Sequence, residues 1–148
     1  MAIKIGLPNG NTLGEEALIP ARSYAALVEA LLDEAVEIHR IVPGTDGGVS
    51  KLATYPEKVM YRIYDWPHVP LIFQFFKDQF GLRMRVCLTT FNWGVGYYLI
   101  VPPREVNRTI EIGTKAGYEL MEVGWVEESN KPHVYFESAG LALPPPGA

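Results

Sequence analysis

Two glycine-rich segments contain the residues whose types and spacing could do chemistry. Residues 43–48 have the sequence Pro-Gly-Thr-Asp-Gly-Gly, and residues 91–96 have the sequence Phe-Asn-Trp-Gly-Val-Gly. Backbone N–H groups in such turns can form an anion-binding nest, and glycine lets another group approach the backbone closely. Spacing alone favours plain turns over ligand sites, because Asp46 would repel a phosphate at the first segment.

Other chemically active residues form no recognisable set. The histidines, His39, His68 and His133, are far apart and lack the spacing of metal ligands. Cys87 has no histidine or lysine near it in sequence that would activate its thiol, so a buried, inert thiol is predicted. A Walker motif and a Gly-x-Ser-x-Gly motif are both absent. We therefore predict no catalytic residue and no metal ligand in this chain.

Composition limits the class of protein. The 148 residues suit one domain, with 48% hydrophobic and 20% charged residues, as in a globular protein. The formal net charge of -4 argues against a nucleic-acid partner. Residues 1–6 lack the apolar core of a signal peptide, and no apolar run approaches the roughly 18 residues of a membrane span. We expect a cytoplasmic protein without a membrane partner.

Hydrophobic periodicity predicts helices interleaved with strands. Thr12 and Glu15 have the spacing of a capping box, and Gly117 suits the end of a helix. The run 95–101 has no charge and no alternation, which is typical of a central strand buried on both faces. Residues 133–137 are expected to pair back on 119–126 as a hairpin. The remaining predicted segments are a helix opening at Pro20, strands at 36–42 and 58–64, helices at 69–80 and 103–116, and either a short helix or an irregular turn at 83–90.

This order of elements favours one sheet with helices packed on it. We divide the chain into an N-terminal arm at 1–11, a domain at 12–140 and a proline-rich, extended and disordered tail at 141–148. The helix at 20–32 should bury Leu27, Leu31 and Leu32 on one face.

Taken in order, the motifs of the chain resemble the C-terminal domain of the aminoimidazole ribonucleotide (AIR) synthetases, the cyclo-ligases of purine biosynthesis. Residues 12–24 are similar to the family's Thr-Leu-Gly-Glu-Ala-Leu-Leu-x-Pro-Thr-Arg-Ile-Tyr, and residues 66–73 to its Trp-Pro-Val-Pro-Pro-Ile-Phe. Residues 91–96 resemble Phe-Asn-Met-Gly-Ile-Gly, and residues 39–49 stand where the family has His-Gly-Ile-Ala-His-Ile-Thr-Gly-Gly-Gly-Leu. In that last motif Pro43 replaces a histidine and Asp46 replaces a glycine.

The resemblance implies a fold and a role. The fold would be an α+β, three-layer α/β/α domain with a mixed sheet and partial ferredoxin-like topology. The family uses ATP to activate the amide oxygen of formylglycinamidine ribonucleotide, which then closes to AIR. Its substrate cleft lies between this domain and an N-terminal domain that binds ATP. No cofactor is therefore expected in this chain, and ATP and Mg²⁺ are expected only with an N-terminal ATP-binding partner.

On this interpretation the substrate side of the cleft comes from the two glycine-rich segments, and a phosphorylated ribonucleotide would be the ligand. The expected substrate-binding residues are Thr45, Asp46, Gly47, Gly48, Asn92, Gly94 and Gly96. The alternative is a non-catalytic binding or scaffolding domain that kept the fold and lost the site.

Surplus apolar residues predict an association surface. Leu71 and Phe75 lie off the apolar stripe of the helix at 69–80, and Tyr61, Tyr64 and Trp66 precede it. A patch of this kind would signal a partner. We expect either a homodimer or a complex with an ATP-binding partner subunit.

Overall fold

The computed structural model describes residues 4–148, in which five helices and six strands combine into an α+β fold. The first three residues of the predicted arm lie outside this range. Short 3₁₀ turns occupy Gly48–Thr54, Pro103–Glu105 and Glu137–Ala139. The elements in chain order are α1 (Leu13–Ala17), α2 (Ala25–Asp33), β1 (Arg40–Pro43), β2 (Val59–Ile63), α3 (Leu71–Gln79), α4 (Met84–Thr90), β3 (Tyr97–Ile100), α5 (Val106–Lys115), β4 (Gly124–Glu128), β5 (His133–Phe136) and β6 (Leu141–Leu143).

The strands form two sheets. The larger has the order β4-β2-β5-β6 and is mixed, because β2 pairs parallel with β5 while the other neighbours are antiparallel. The smaller consists of β1 and β3 in an antiparallel pair. The expected mixed sheet is confirmed, but strands that the sequence places in one sheet are divided between two.

Local signals in the sequence are confirmed. Thr12 caps α1: its hydroxyl accepts from the Glu15 N–H at 3.2 Å, and its own N–H donates to the Glu15 carboxylate at 2.7 Å. Gly117 follows α5 with φ +84°, in the left-handed region that favours glycine. The segment 83–90, left open between helix and turn, contains the helix α4.

The predicted hairpin is wrong. β4 and β5 do not pair with each other, because β2 lies between them. Tyr61 of β2 stands opposite Val126 of β4 on one side and Val134 of β5 on the other. This arrangement buries Tyr61 and Val134 in the main core, which a bare two-stranded hairpin could not do.

The run 95–101 is not a central strand buried on both faces. Only Tyr97–Ile100 is a strand; it lies in the two-stranded sheet, and Tyr98 alone among its side chains is fully buried. Tyr98 belongs to the main core, whereas Leu99 packs against a second core formed by Leu27, Leu31 and Val36. The run lacks alternation because β3 lies between two separate apolar clusters.

Other boundaries differ from the predictions. β1 begins at Arg40, not at residue 36, because Val36 packs into the second core. Leu32 is 61% exposed and Phe80 66% exposed, so neither lies on a buried face.

The C-terminal segment joins the sheet. It was predicted to be extended and disordered, but β6 pairs with β5 and buries Leu143 completely. Arg85 of α4 also donates to the Ala142 carbonyl at 2.9 Å. The disorder prediction therefore fails at this strand because Leu143 supplies apolar area to the core.

The proposed apolar patch is also corrected. Tyr61 is only 5% exposed, and Trp66 packs edge-on against Phe136 in the core, with their ring centroids 5.1 Å apart. Leu71 and Phe75 are half-buried, and of the five residues only Tyr64 is clearly exposed. Within residues 4–148, none of the helices has the length and apolar character needed to span a bilayer.

Candidate functional site

The pairing of β1 with β3 brings the two glycine-rich segments together. Since the strands are antiparallel and Pro43 stands opposite Tyr97, the end of β1 meets the start of β3. The Gly44 N–H donates to the Gly96 carbonyl at 2.7 Å, and the Asn92 side-chain amide donates to the Gly44 carbonyl at 3.1 Å. Residues 43–48 and 91–96 thus form one surface, which we call the paired-loop site.

Close backbone packing explains the first loop's glycines. A Cβ on Gly44 would lie 2.0 Å from the Val95 carbonyl oxygen, and one on Gly48 would lie 2.5 Å from that of Leu88. Gly47 and Gly48 also have φ of +84° and +60°. Only glycine satisfies these positions without displacing backbone. Gly44, which the sequence analysis did not single out, is as constrained as the predicted residues.

The second loop is packed in a similar way. A Cβ on Gly96 would lie 2.0 Å from the Tyr24 hydroxyl, and one on Gly94 would lie 2.6 Å from Cδ of Pro70. The side-chain oxygen Oδ1 of Asn92 accepts from the Gly94 N–H at 3.1 Å. These residues therefore hold the two loops and the entry to α2 in contact.

Two charged groups lie at the first loop of the paired-loop site, one within it and one just after it. Lys51 donates from Nζ to the Thr45 hydroxyl, and Asp46 carries an exposed carboxylate. Sequence reasoning missed Lys51; a cation six residues beyond Thr45 was the available signal. The ammonium group supplies the positive charge that a phosphate would need, and Asp46 opposes it.

The second loop also contains a backbone outlier. Trp93 has φ +53°, a conformation that a bulky residue adopts only where its surroundings enforce it. Its carbonyl accepts from Trp66 Nε1 at 3.0 Å, and its ring stacks on Phe73. The indole is 5% exposed, so burial holds this strained turn in place.

Within residues 4–148, no group of three or more His, Cys, Asp or Glu side chains is placed to hold a metal ion. Cys87 is fully buried, as expected, and burial raises the pKa of its thiol. A raised pKa disfavours the thiolate, so Cys87 is a poor nucleophile.

Comparison with known proteins gives a consistent result. No family model matches the chain. The chain is 34% identical over 125 residues to a phosphoribosylformylglycinamidine cyclo-ligase of Alkaliphilus oremlandii, which is 82% of this chain and 36% of that protein. The cyclo-ligases of Methanobrevibacter smithii and of a Synechocystis species are 32% and 26% identical, over 71% and 86% of this chain and 31% and 38% of theirs.

The chain is homologous to the AIR synthetases. It spans about a third of the length of the curated relatives it matches, an extent that fits the C-terminal domain implied by its motifs.

Proposed function

We propose that this chain forms the substrate-binding side of an ATP-dependent cyclo-ligase and that a separate polypeptide or segment supplies the ATP-binding side. One observation carries the proposal: homology to the cyclo-ligases covers 82% of this chain but only 36% of the relative's length. On this proposal, ATP and Mg²⁺ bind the partner. The described residues contain no carboxylate cluster suited to Mg²⁺.

The paired-loop site supports a phosphorylated ribonucleotide as the ligand. Lys51 places a cation beside the Thr45 hydroxyl, and the exposed Thr45 lies at the surface, where a ligand can reach it. The backbone of 44–48 is fixed against 91–96, so the site would not need to be ordered on binding. We place the substrate phosphate at this loop.

We further propose the finer fold, domain and compartment assignments that follow from the homology. The fold would be a three-layer α/β/α arrangement with partial ferredoxin-like topology; the contacts of α2 with α5, of α3 with α4 and of α4 with β6 support helical layers packed on the strands. The domain would begin at residue 12 and extend through Leu143, since β6 belongs to the larger sheet, and the cytoplasm would be its compartment.

The alternative proposal is a non-catalytic binding or scaffolding domain. It is favoured by the departures at the loop, where Pro43 and Asp46 replace the family's histidine and glycine. The packing of Gly44, Gly48 and Gly96 against other groups is equally compatible with a purely structural role.

Reconstitution distinguishes the two proposals. The tagged chain is used to capture partners from extracts of its source organism, and the purified mixture is assayed for ATP-dependent conversion of formylglycinamidine ribonucleotide to AIR. We expect no turnover by the chain alone and turnover with an ATP-binding partner. Robust turnover by the chain alone would contradict the need for a partner. Capture of an ATP-binding partner without turnover would favour the scaffolding role.

A further inference from the structure

Strand β4 forms one edge of the larger sheet, and the side of it that faces away from β2 is open. Two backbone bonds fix which of its groups point to β2: the Tyr64 N–H donates to the Val123 carbonyl at 3.0 Å, and the Ser129 N–H donates to the Lys58 carbonyl at 2.9 Å. In an antiparallel ladder every second residue directs its N–H and C=O to the same neighbour, so the odd-numbered residues of this segment bond to β2. The outward-pointing backbone groups of β4 are those of Gly124, Val126 and Glu128.

These outward groups are unprotected in the part of the chain that the structure describes. Within residues 4–148, no strand pairs with this side of β4 and no hydrogen bond reaches its outward N–H and C=O groups. The opposite edge of the sheet differs, because α4 packs on β6 and Arg85 donates to the Ala142 carbonyl. Native proteins often protect an edge with proline, lysine or a bulge. Residues 124–128 contain neither proline nor lysine, and their pairing with β2 is continuous.

The side chains of β4 are apolar or have a compensated charge, with one exception. Trp125 and Val126 are 49% and 40% exposed. The Glu127 carboxylate accepts from Trp125 Nε1 at 2.9 Å and from Arg62 at 3.1 Å. Glu128 is exposed and is the remaining carboxylate of the strand. The edge therefore combines free backbone groups, exposed apolar area and little uncompensated charge.

The sequence of β4 complements itself when a second copy is related by a twofold axis at Val126. Val126 then stands opposite Val126, and Gly124 stands opposite Glu128, so every outward N–H meets an outward C=O. Trp125 stands opposite Glu127, whose carboxylate already accepts the indole N–H within one chain. No carboxylate of the strand faces another carboxylate. A surface that pairs with itself in this way is the kind that a twofold dimer requires.

Shifting the pairing in either direction brings like charges together. With the axis at Trp125, Glu128 would stand opposite Glu122 of the second copy. With the axis at Glu127, that residue would stand opposite itself. Like charges directly opposite each other destabilise a strand pair. The axis at Val126 therefore gives the favoured register, and it also pairs the whole of β4.

We propose that β4 is a dimerisation edge, through which two copies of this chain pair antiparallel about Val126 and join their larger sheets into one. The inference does not rest on the cyclo-ligase proposal, because residues 124–128 lie outside the paired-loop site and their edge is open whatever that site binds.

Concentration-dependent hydrogen exchange tests the edge directly. Sedimentation of the full chain at micromolar and higher concentrations should show a monomer–dimer equilibrium. As the dimer forms, the amides of Val126 and Glu128 should exchange at least about tenfold more slowly by NMR, whereas those of Trp125 and Glu127 should already be protected in the monomer. A chain that stays monomeric, or a dimer in which the Val126 and Glu128 amides exchange as in the monomer, would overturn the proposal. Protection of these amides only by a different protein would also overturn it.

Glu128→Pro tests the hydrogen bonds across the edge. Proline removes an N–H that points away from β2, so it keeps the ladder inside the chain. The dimer dissociation constant should rise at least about tenfold, because a bond is lost on each side of the axis. Glu128→Gln is the matched control: it loses the same charge and keeps the N–H, so its dissociation constant should not exceed that of the wild type. Equal constants for the two variants would contradict pairing through the backbone.

Trp125→Lys and Trp125→Glu test the register. Both variants lose the same exposed indole, but lysine would stand opposite Glu127 of the second copy, whereas glutamate would place two carboxylates opposite each other. We expect the Trp125→Lys dimer to be at least about tenfold tighter than the Trp125→Glu dimer at low salt, with a smaller difference at high salt. Equal dissociation constants, or a tighter Trp125→Glu dimer, would refute the register centred on Val126.

Discussion

At the scale of single residues, Gly48 shows how a site residue can be required for packing. Its φ of +60° is matched almost perfectly by the +61° of Gly140, but only Gly48 has backbone oxygens within 3 Å of an added Cβ. Comparing the same substitution at the two glycines therefore separates the cost of a left-handed backbone conformation from the cost of a steric clash.

Gly48→Ala should lower the free energy of unfolding by about 3 kcal/mol, because strain and the clash with the Leu88 carbonyl add. Gly140→Ala should lower it by about 1 kcal/mol, from strain alone. Chemical denaturation of both variants measures the difference. Equal losses would show that the close packing at Gly48 is not restrictive.

Asp46 and Lys51 should have opposite effects on phosphate binding. Asp46→Gly, which restores the family's residue, and the isosteric Asp46→Asn should both strengthen ribose 5-phosphate binding by on the order of 1 kcal/mol, because a nearby negative charge is removed. Lys51→Gln should weaken it by a similar amount. Titration calorimetry at low salt provides the measurement. If neither charge affects affinity, the paired-loop site is not the phosphate site.

At the scale of elements, the capping box of α1 makes a pH-dependent contribution to stability. Hydrogen bonds from the Thr12 backbone N–H and, secondarily, from its hydroxyl lower the pKa of Glu15 below 4.5. Since the pKa is lower in the folded state, the stabilisation is present above the unfolded value and is lost as the pH falls through the folded value.

Glu15→Gln keeps the capping geometry and removes the titration. We expect the wild type to lose more stability than Glu15→Gln when the pH is lowered from 7 to 3, measured by urea midpoints. An identical decline in both proteins would show that the bonds from Thr12 to Glu15 do not favour the ionised carboxylate.

The strand β6 should be essential to the core. Leu143→Ala should cost about 3 kcal/mol, because the side chain is fully buried. Leu32→Ala is the control; it should change stability by less than about 0.5 kcal/mol, since Leu32 is 61% exposed. Thermal unfolding compares them. A negligible change in stability for Leu143→Ala would indicate that the C-terminal segment is disordered, as the sequence predicted.

The sequence predicted what depends on near neighbours. The capping box at Thr12 and the stop at Gly117 involve contacts within one helical turn, so their residues determine them locally. The insertion of β2 between β4 and β5 depends on Tyr61 meeting residues far along the chain, which periodicity cannot specify. For the candidate site, the order of family motifs pointed to the two glycine-rich segments, which the structure brings together, but the constraint on Gly44 required the register of β1 with β3.

At the scale of the whole molecule, we expect a partner to cover the segment after α1. Leu18 and Ile19 are 81% and 59% exposed. Five residues beyond Ile19, the Tyr24 hydroxyl lies against Gly96 of the paired-loop site. On the proposed function, a partner that covers the paired-loop site would therefore also contact this segment.

The double variant Leu18→Glu/Ile19→Glu should weaken the complex with the ATP-binding partner or a homodimer at least about tenfold, because apolar area is replaced by charge. Leu32→Glu is the control, since it changes an exposed leucine on α2. Sedimentation at micromolar concentration measures association. A wild-type chain that remains monomeric and recovers no partner would contradict the proposal.

The position of β2 in the larger sheet has a consequence for biosynthesis. β2 ends at Ile63 and is therefore synthesised early, yet the two strands that pair with it, β4 and β5, come from residues 124–136. During synthesis on the ribosome, neither edge of β2 has its hydrogen-bonded partner strand until most of the chain has emerged. Closing such non-local pairs is slow, and an open strand is prone to mispairing. Nascent chains of this protein should therefore depend on chaperones during the interval between β2 and β5.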